Sequence, residues 1–200
     1  MNKDEIRSIA DLAEVKNREE FYPNPNFPNS IYYKFFELLT AEMKPNLSIE
    51  LGINGGGGSL HLAKGWPQGT VIGMDIAWDC AENIKHIKEN FPNFVFMLSD
   101  SVSASRYIFD TYGPIDILFI DTIHTYERTL KEFHTYLPYL SDNAIVCLDD
   151  LFRPGMEKAW DEVPGEKMRL DFLHSGSKVD ETTGDGGFGV VWNIPKGEQK

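Results

Sequence analysis

Residues 48–59 read Ser48-Ile-Glu-Leu-Gly-Ile-Asn-Gly-Gly-Gly-Gly-Ser59. An apolar run, Leu47–Ile53, enters four consecutive glycines, and a helical pattern follows from Ser59 to Ala63. Strand, glycine turn and helix in that order put the turn at the carboxyl end of a strand. Glycines there admit positive φ and let a ligand approach the backbone closely. The helix start offers N–H groups that lack intrahelical partners. In open α/β sheets, ligands sit at such strand ends. The spacing restricts the ligand. A dinucleotide turn needs G-x-G-x-x-G, whereas Gly52, Gly55 and Gly58 lie three apart. A triphosphate loop needs a lysine where Gly58 stands. The alternative is a tight strand-to-helix turn without a ligand.

Outward from this turn the chain alternates. Val71–Ile76, Phe94–Leu98, Ile115–Ile120 and Ala144–Leu148 read as further short apolar strands. Ala81–Phe91, Val102–Tyr112, Tyr126–Leu140 and Met156–Val163 read as helices. Five such strands separated by helices predict a parallel sheet covered on both faces. Right-handed crossovers make it doubly wound, in three layers. Met168–Leu173 and Phe188–Asn193 are expected as an antiparallel C-terminal strand pair. Upstream, residues 4–20 carry a weak helical period, and Tyr22–Asn29 is loop chemistry with three prolines. Ser30 reads as an N-cap for a helix whose apolar face is Ile31, Phe35, Leu38, Leu39 and Met43. The expected organisation is a helix-and-loop extension over 1–29, an α/β domain over 30–195 and a flexible polar tail over 196–200.

Two hundred residues suit one domain with a real core. The net charge of −12 disfavours nucleic-acid phosphates and anionic membrane surfaces, and suits a neutral or cationic small molecule or a metal ion. Cys80 and Cys147 form no C-x-x-C pair, and Cys147 reads as a small buried hydrophobe. Two unpaired cysteines, no signal-peptide pattern and no membrane-length apolar run lead to an expected cytoplasmic setting.

Acidic residues mark the ends of the later strands. Asp75 follows the second strand at the spacing that accepts hydrogen bonds from ribose hydroxyls, and Ile76 or Trp78 can pack on a base. Asp100, in Leu98-Ser-Asp-Ser101, is placed for an exocyclic amine or for a helix N-cap, two compatible roles. Asp121, Asp149 and Asp150 fall just past two neighbouring apolar strands and are expected to meet in one cleft. Such hard oxygen donors suit Mg²⁺ or another divalent cation; otherwise Asp121 orients the ligand while Asp149 and Asp150 cap a helix. His124 is a candidate metal ligand, general base or structural histidine. His61, His86, His134 and His174 lack such company.

Taken together, Glu50-Leu-Gly-x-x-x-Gly-Gly-x-Ser59, Asp75, Asp100, Ile120-Asp-x-x-His124-x-Tyr126 and Leu148-Asp-Asp150 resemble the class I S-adenosylmethionine-dependent methyltransferases. The similarity covers roughly residues 30–193. It is nearest to the small O-methyltransferase branch with the catechol-type and macrolide-sugar enzymes. The resemblance implies a Rossmann-like methyltransferase sheet and S-adenosylmethionine as cofactor. Glu50, Gly52, Asn54, Gly56, Gly57 and Ser59 would hold its methionine part, Asp75 and Ile76 the ribose and base, and Asp100 and Ser101 the adenine. Asp121 would be shared with a divalent cation on Asp121, Asp149 and Asp150, which lowers the pKa of a substrate hydroxyl. His124 and Asp121 would be the catalytic pair.

Two positions depart from the pattern. Thr122-Ile123-His124 stands where catechol-type enzymes carry a lysine, which argues against catechol as acceptor. Gly58 replaces a frequent serine, from which a looser turn is expected.

The expected reaction is methyl transfer to a hydroxyl of a small molecule or sugar. The alternatives are N-methylation, a cofactor-binding module without turnover, and an NAD-type oxidoreductase, which the glycine spacing disfavours. The expected partner is a small-molecule acceptor, with no nucleic acid and no membrane; a homo-oligomer is left open. Phe21–Asn29 and Leu151–Gly155 are expected to form a lid. Tyr22, Phe27, Tyr32, Tyr33 and Phe36 are candidates for an acceptor pocket, with core packing favoured for Tyr32 and Phe36.

Overall fold

The computed structural model describes residues 1–19, 31–78, 81–173 and 186–196. The expected loop Tyr22–Asn29, with its share of the lid and of the aromatic residues, lies outside them. So do Ser30, Cys80, His174 and the end of the tail.

The elements in chain order are α1 (Lys3–Glu19), α2 (Ile31–Met43), β1 (Leu47–Leu51), α3 (Gly57–Gly65), β2 (Thr70–Asp75), α4 (Ala81–Asn90) and β3 (Phe94–Leu98). They continue with α5 (Ser101–Tyr112), β4 (Ile115–Ile120), α6 (Tyr126–Tyr136), β5 (Leu140–Leu148), α7 (Met156–Glu162), β6 (Glu166–Arg169) and β7 (Gly189–Trp192). One sheet results, in the order β3-β2-β1-β4-β5-β7-β6. Strands β1 to β5 are parallel, and β7 runs antiparallel to both β5 and β6. The doubly wound, mostly parallel sheet with an antiparallel C-terminal pair expected from the sequence is the sheet that forms.

The strand order reverses at β1. The chain builds β2 and β3 on one side of it and returns to place β4 on the other. A crevice opens there at the carboxyl ends of the strands.

Period-2 alternation decides the layers. Along β5, Ile145 and Cys147 face a core shared with α1, α2, α3 and α4. Ala144, Val146 and Leu148 face the opposite core with α5, α6 and α7. Every one of these five residues is buried, so β5 carries a continuous apolar run rather than an alternating one. Cys147 is a free, buried thiol, as read from the sequence. On α1, Ile6, Ala10 and Ala13 make a helical stripe without exposure, packed into the first core. No helix among the described residues is long and apolar enough to cross a membrane.

Several element boundaries differ from the expectation, the largest differences lying in the C-terminal half. Helix α6 stops at Tyr136 instead of Leu140, and a 3-10 turn covers Leu137–Tyr139. Pro138 has no N–H to donate to the carbonyl four residues back, and its ring crowds that carbonyl. Strand β5 therefore begins at Leu140, which pairs with Ile115 before a register shift restores the pairing at Ile117–Ile145. The strand expected over Met168–Leu173 instead occupies Glu166–Arg169. Asp171 ends it: its Oδ1 accepts from Arg169 Nε at 2.8 Å and from Phe188 N at 3.0 Å, and a 3-10 turn takes Asp171–Leu173.

Candidate active site

The chain leaves β1 sideways. Gly52 N and Ile53 N both donate to Met74 O, at 2.8 and 3.0 Å, so the turn leans on β2. Gly52 takes φ 86, and a Cβ there would run into the Asp121 carbonyl at the end of β4. The backbone can pass between β2 and β4 only without a side chain. Asn54 follows at φ 39 and donates its N–H to Asp75 Oδ2 at 3.2 Å. Helix α3 then starts at Gly57 behind Gly56, two residues earlier than expected.

Glu50 points under this turn. It is 1% exposed and accepts from Ser59 Oγ at 2.5 Å. Burial pushes its carboxyl up to about 8, and the charges of Asp149 and Asp75 push the same way against the Ser59 hydrogen bonds. Gly58 packs on that carboxyl so closely that a Cβ would collide with it. The looser turn expected from glycine at this position is corrected: glycine is what lets α3 close over Glu50.

A cavity of about 370 Å³ opens over the switch point, within the usual range for ligand pockets. Of the residues singled out in the sequence, Gly52, Asn54, Asp75, Ile76, Asp100, Ser101, Asp121 and His124 line it. Glu50, Gly56, Gly57 and Ser59 are not among its lining; all four are buried in the turn beside it. Asp75 is held by Asn54 N on one oxygen and Ala77 N on the other, at 3.2 and 3.1 Å. Ile76 and Ile123 line the same cavity and are 72% and 62% exposed, two aliphatic surfaces on its wall.

Asp100 is the N-cap of α5: its Oδ1 accepts from Ser103 N at 3.0 Å. Its Oδ2 accepts from Arg128 Nη2 at 2.7 Å. The Arg128 hydrogen bond comes first, with the Ser103 N–H, in holding this carboxyl down at about 2.

The acidic cluster assembles at the ends of β4 and β5. Asp121 and Asp149 stand side by side there, and Tyr32 on α2 lies against them. Burial, then the neighbouring carboxylates, raise Asp121 well above the ordinary range. Burial and the charge of Asp150 push Asp149 up to about 8. His124 sits between two of the acids, with Nε2 3.4 Å from Asp121 Oδ1 and 3.5 Å from Asp150 Oδ2. Asp150 also accepts from Gly186 N at 2.7 Å and pairs with Arg153 Nε at 2.9 Å. His124 and Asp150 both take left-handed backbone, φ 47 and 50, a sparsely populated conformation for a residue with a side chain.

Asp121, Asp149 and Asp150 lie together at these strand ends, but of the three only Asp121 lines the cavity, so proximity is present. A metal cage is not: among the described residues, no group of three or more His, Cys, Asp or Glu side chains is arranged to hold a metal ion. Nor do Asp149 and Asp150 cap the next helix, since α7 starts from Gly155. The Leu151–Gly155 turn is tied back to the chain before β7 by Leu151 N to Gly187 O and Phe152 N to Gly186 O. Tyr32 and Phe36 pack in the core as favoured, but the Tyr32 hydroxyl reaches the acidic cluster. His61, read as lacking company, stands 3.0 Å from Glu37 Oε2, which also takes Lys64 at 3.0 Å.

Arg128, Thr122 and Glu132 were not read from the sequence. Glu132 has no exposure and accepts from Ser101 Oγ at 2.5 Å, Thr122 Oγ1 at 2.8 Å and Arg128 Nε at 2.8 Å. Their only signal is the i, i+4 spacing of Arg128 and Glu132, which any solvated helix face also shows.

Residues 49–151, just over half of the chain, match the family model of a methyltransferase domain. The 8-demethyl-8-alpha-L-rhamnosyl tetracenomycin-C 2'-O-methyltransferase of Streptomyces olivaceus is 31% identical over 141 residues, covering 63% of this chain and 36% of that protein. The chain therefore spans about a third of that curated relative's length. Among solved structures, the O-methyltransferase from Bacillus cereus in complex with SAH aligns at TM-score 0.67 with 16% identity, covering 96% of this chain and 92% of that one. The O-methyltransferase TomG from Streptomyces achromogenes, involved in tomaymycin synthesis and solved with SAM, aligns at 0.65 with 18% identity, covering 96% and 91%. At these identities the two structures show a common fold. With the family match lying over β1 to β5 and the glycine turn, the chain belongs to the methyltransferase-domain family.

Proposed function

We propose that this chain transfers a methyl group from S-adenosylmethionine to a hydroxyl oxygen of a small molecule. The observation that carries the reading is one cavity with two chemistries along it. Asp75 and Asp100 stand at one part of its wall; Asp121 and His124 stand at another. The residues fit the cofactor: Asp75 has both oxygens anchored by backbone N–H groups yet faces the cavity, where a carboxylate still has lone pairs for ribose hydroxyls. Ile76 and Ile123 offer apolar surface for the base. S-adenosylmethionine supplies a methyl group already activated on a sulfonium.

The chain's own residues do the rest. The turn after β1 keeps the backbone of Gly52 open to the ligand. His124 Nε2 stands between Asp121 Oδ1 and Asp150 Oδ2, and His124 is the group on the cavity wall that takes the proton of the acceptor hydroxyl. The Streptomyces olivaceus relative is named for methylating a sugar 2'-hydroxyl, which makes glycosides the first acceptors to try.

Calorimetry with S-adenosylmethionine and a screen of glycosides for S-adenosylhomocysteine formation test the reading. We expect binding and turnover, and in His124→Ala a loss of turnover of about 10²–10⁴-fold with unchanged cofactor affinity. No binding at millimolar concentration sinks the reading. Binding without turnover across the screen favours the cofactor-binding module.

A further inference from the structure

Helix α6 presents three residues one turn apart, Arg128, Glu132 and Tyr136, to the turn between β3 and α5. Arg128 Nη2 donates to Asp100 Oδ2 at 2.7 Å and to Ser101 Oγ at 2.5 Å. Glu132 accepts from Ser101 Oγ and from Arg128 Nε. Tyr136 donates its hydroxyl to Ser101 O at 2.7 Å. Thr122, at the end of β4, donates to the other Glu132 oxygen at 2.8 Å. Glu132 is thus a buried hub that joins α6 to both loops beneath the cavity.

Four of these residues matter to a ligand directly, because Asp100, Ser101, Thr122 and Arg128 line the cavity. Asp100 uses Oδ1 on the α5 N-terminus and Oδ2 on Arg128. Ser103 N and Oγ on Oδ1 and Arg128 on Oδ2 together fix its plane. A planar guanidinium held at Nε by Glu132 and at Nη2 by Asp100 cannot rotate to release it. The carboxylate keeps accepting capacity but has no proton to give, so it suits a donor on the ligand and repels an acceptor.

We infer that Arg128, anchored by the buried Glu132, sets the base selectivity of this cavity by fixing the Asp100 carboxylate for an exocyclic amine. This rests on the cofactor reading above. Arg128 acts through Asp100 and is a positioning residue. A base with an amino group is accepted; one with a carbonyl oxygen at the same position meets a fixed negative charge. Sites that hold a donor of the ligand in this way reject the analogue that lacks it far better than apolar pockets do.

The test compares two ligands by calorimetry: S-adenosylhomocysteine and its 6-oxo counterpart, S-inosylhomocysteine. The native chain is expected to prefer the amino ligand by about tenfold or more, the scale of one charge-assisted hydrogen bond. In Arg128→Ala the preference should fall to within about threefold, because Asp100 loses its second anchor. Equal weakening of both ligands, with the preference intact, is what a merely structural role gives, and it overturns the inference. Glu132→Gln keeps the shape of the hub but weakens its hold on Arg128, so the preference should drop part of the way. That variant decides the matter if Arg128→Ala does not fold, and an unchanged preference in it also overturns the inference. Native protein that binds neither ligand defeats the cofactor reading itself. Native protein that binds both equally defeats only the inference.

Discussion

Gly58 has the Glu50 carboxyl directly against its α-carbon, inside the first turn of α3. Alanine in a helix interior ordinarily gains about 0.5–1 kcal/mol over glycine. Here its methyl meets a carboxyl that is buried and held by Ser59, so the carboxyl has no solvent to swing into. Overpacking of this kind costs about 1–3 kcal/mol and reverses the sign. Gly58→Ala is expected to lower stability by about that amount in urea unfolding; a variant as stable as the native chain would show that the turn has slack. The same contrast explains what could be read from the residues alone. Asp75, Asp100 and Asp121 were legible because each directly follows an apolar strand, and parallel strand ends converge whatever lies between them. Glu50 was legible as a residue of the motif, but its position beneath the turn was not. Arg128 and Glu132 were hidden for another reason. Their i, i+4 spacing marks a common surface pair, and only the packing of α6 on the β3–α5 turn removes Glu132 from water.

At the level of elements, helices and strands were set by period and length, and their ends by single residues. Apolar runs of five or six residues between helical segments fixed the sheet, since a strand buried on both faces has no polar side to show. Pro138 ended α6 early, and Asp171 ended β6 early, because each removed or diverted a hydrogen bond that regular structure needs. Helix α1 shows how far a weak period can mislead. Its charges suggest an appendage, yet Ile6, Ala10 and Ala13 are fully buried against the core that holds α2. Two of the three are alanines, which lets the helix come close and keeps the apolar signal faint. Ile6→Ala is expected to cost about 2–5 kcal/mol, as for other buried aliphatic truncations, and to shift the single unfolding transition of the whole chain. A variant that loses less than about 0.5 kcal/mol, or in which α1 melts in a separate step, would show that the helix is not part of the cooperative core.

For the whole molecule, the decisive fact is where the negative charge is concentrated. The chain carries a net charge of −12, and three of its carboxyls, Glu50, Asp121 and Asp149, gather around one crevice, Glu50 and Asp149 out of solvent and Asp121 on the cavity wall. Burial first, and neighbouring carboxylate charge after it (Asp149 on Glu50 and Asp121, Asp150 on Asp149), raise all three above their ordinary values, Glu50 and Asp149 to about 8. At neutral pH the folded chain therefore keeps protons that the unfolded chain has released. Where the folded state binds more protons, stability falls as pH rises. The ligand-free protein should be most stable near the unfolded values of these carboxyls and lose stability steadily up to about pH 8. A ligand with a positive charge changes the balance, because it favours the ionised carboxylates and drives their protons out. Binding of S-adenosylmethionine at pH 7 should then release protons, up to about one per site, and its affinity should increase between pH 6 and 8. Titrations in buffers of different ionisation enthalpy read this directly: the apparent heat changes with buffer in the direction of release. S-adenosylhomocysteine, which lacks the sulfonium charge, should release fewer. Proton uptake, or heats independent of buffer for both ligands, would mean that the buried carboxyls do not feel the cofactor's charge, and that the crevice holds its protons for the fold alone.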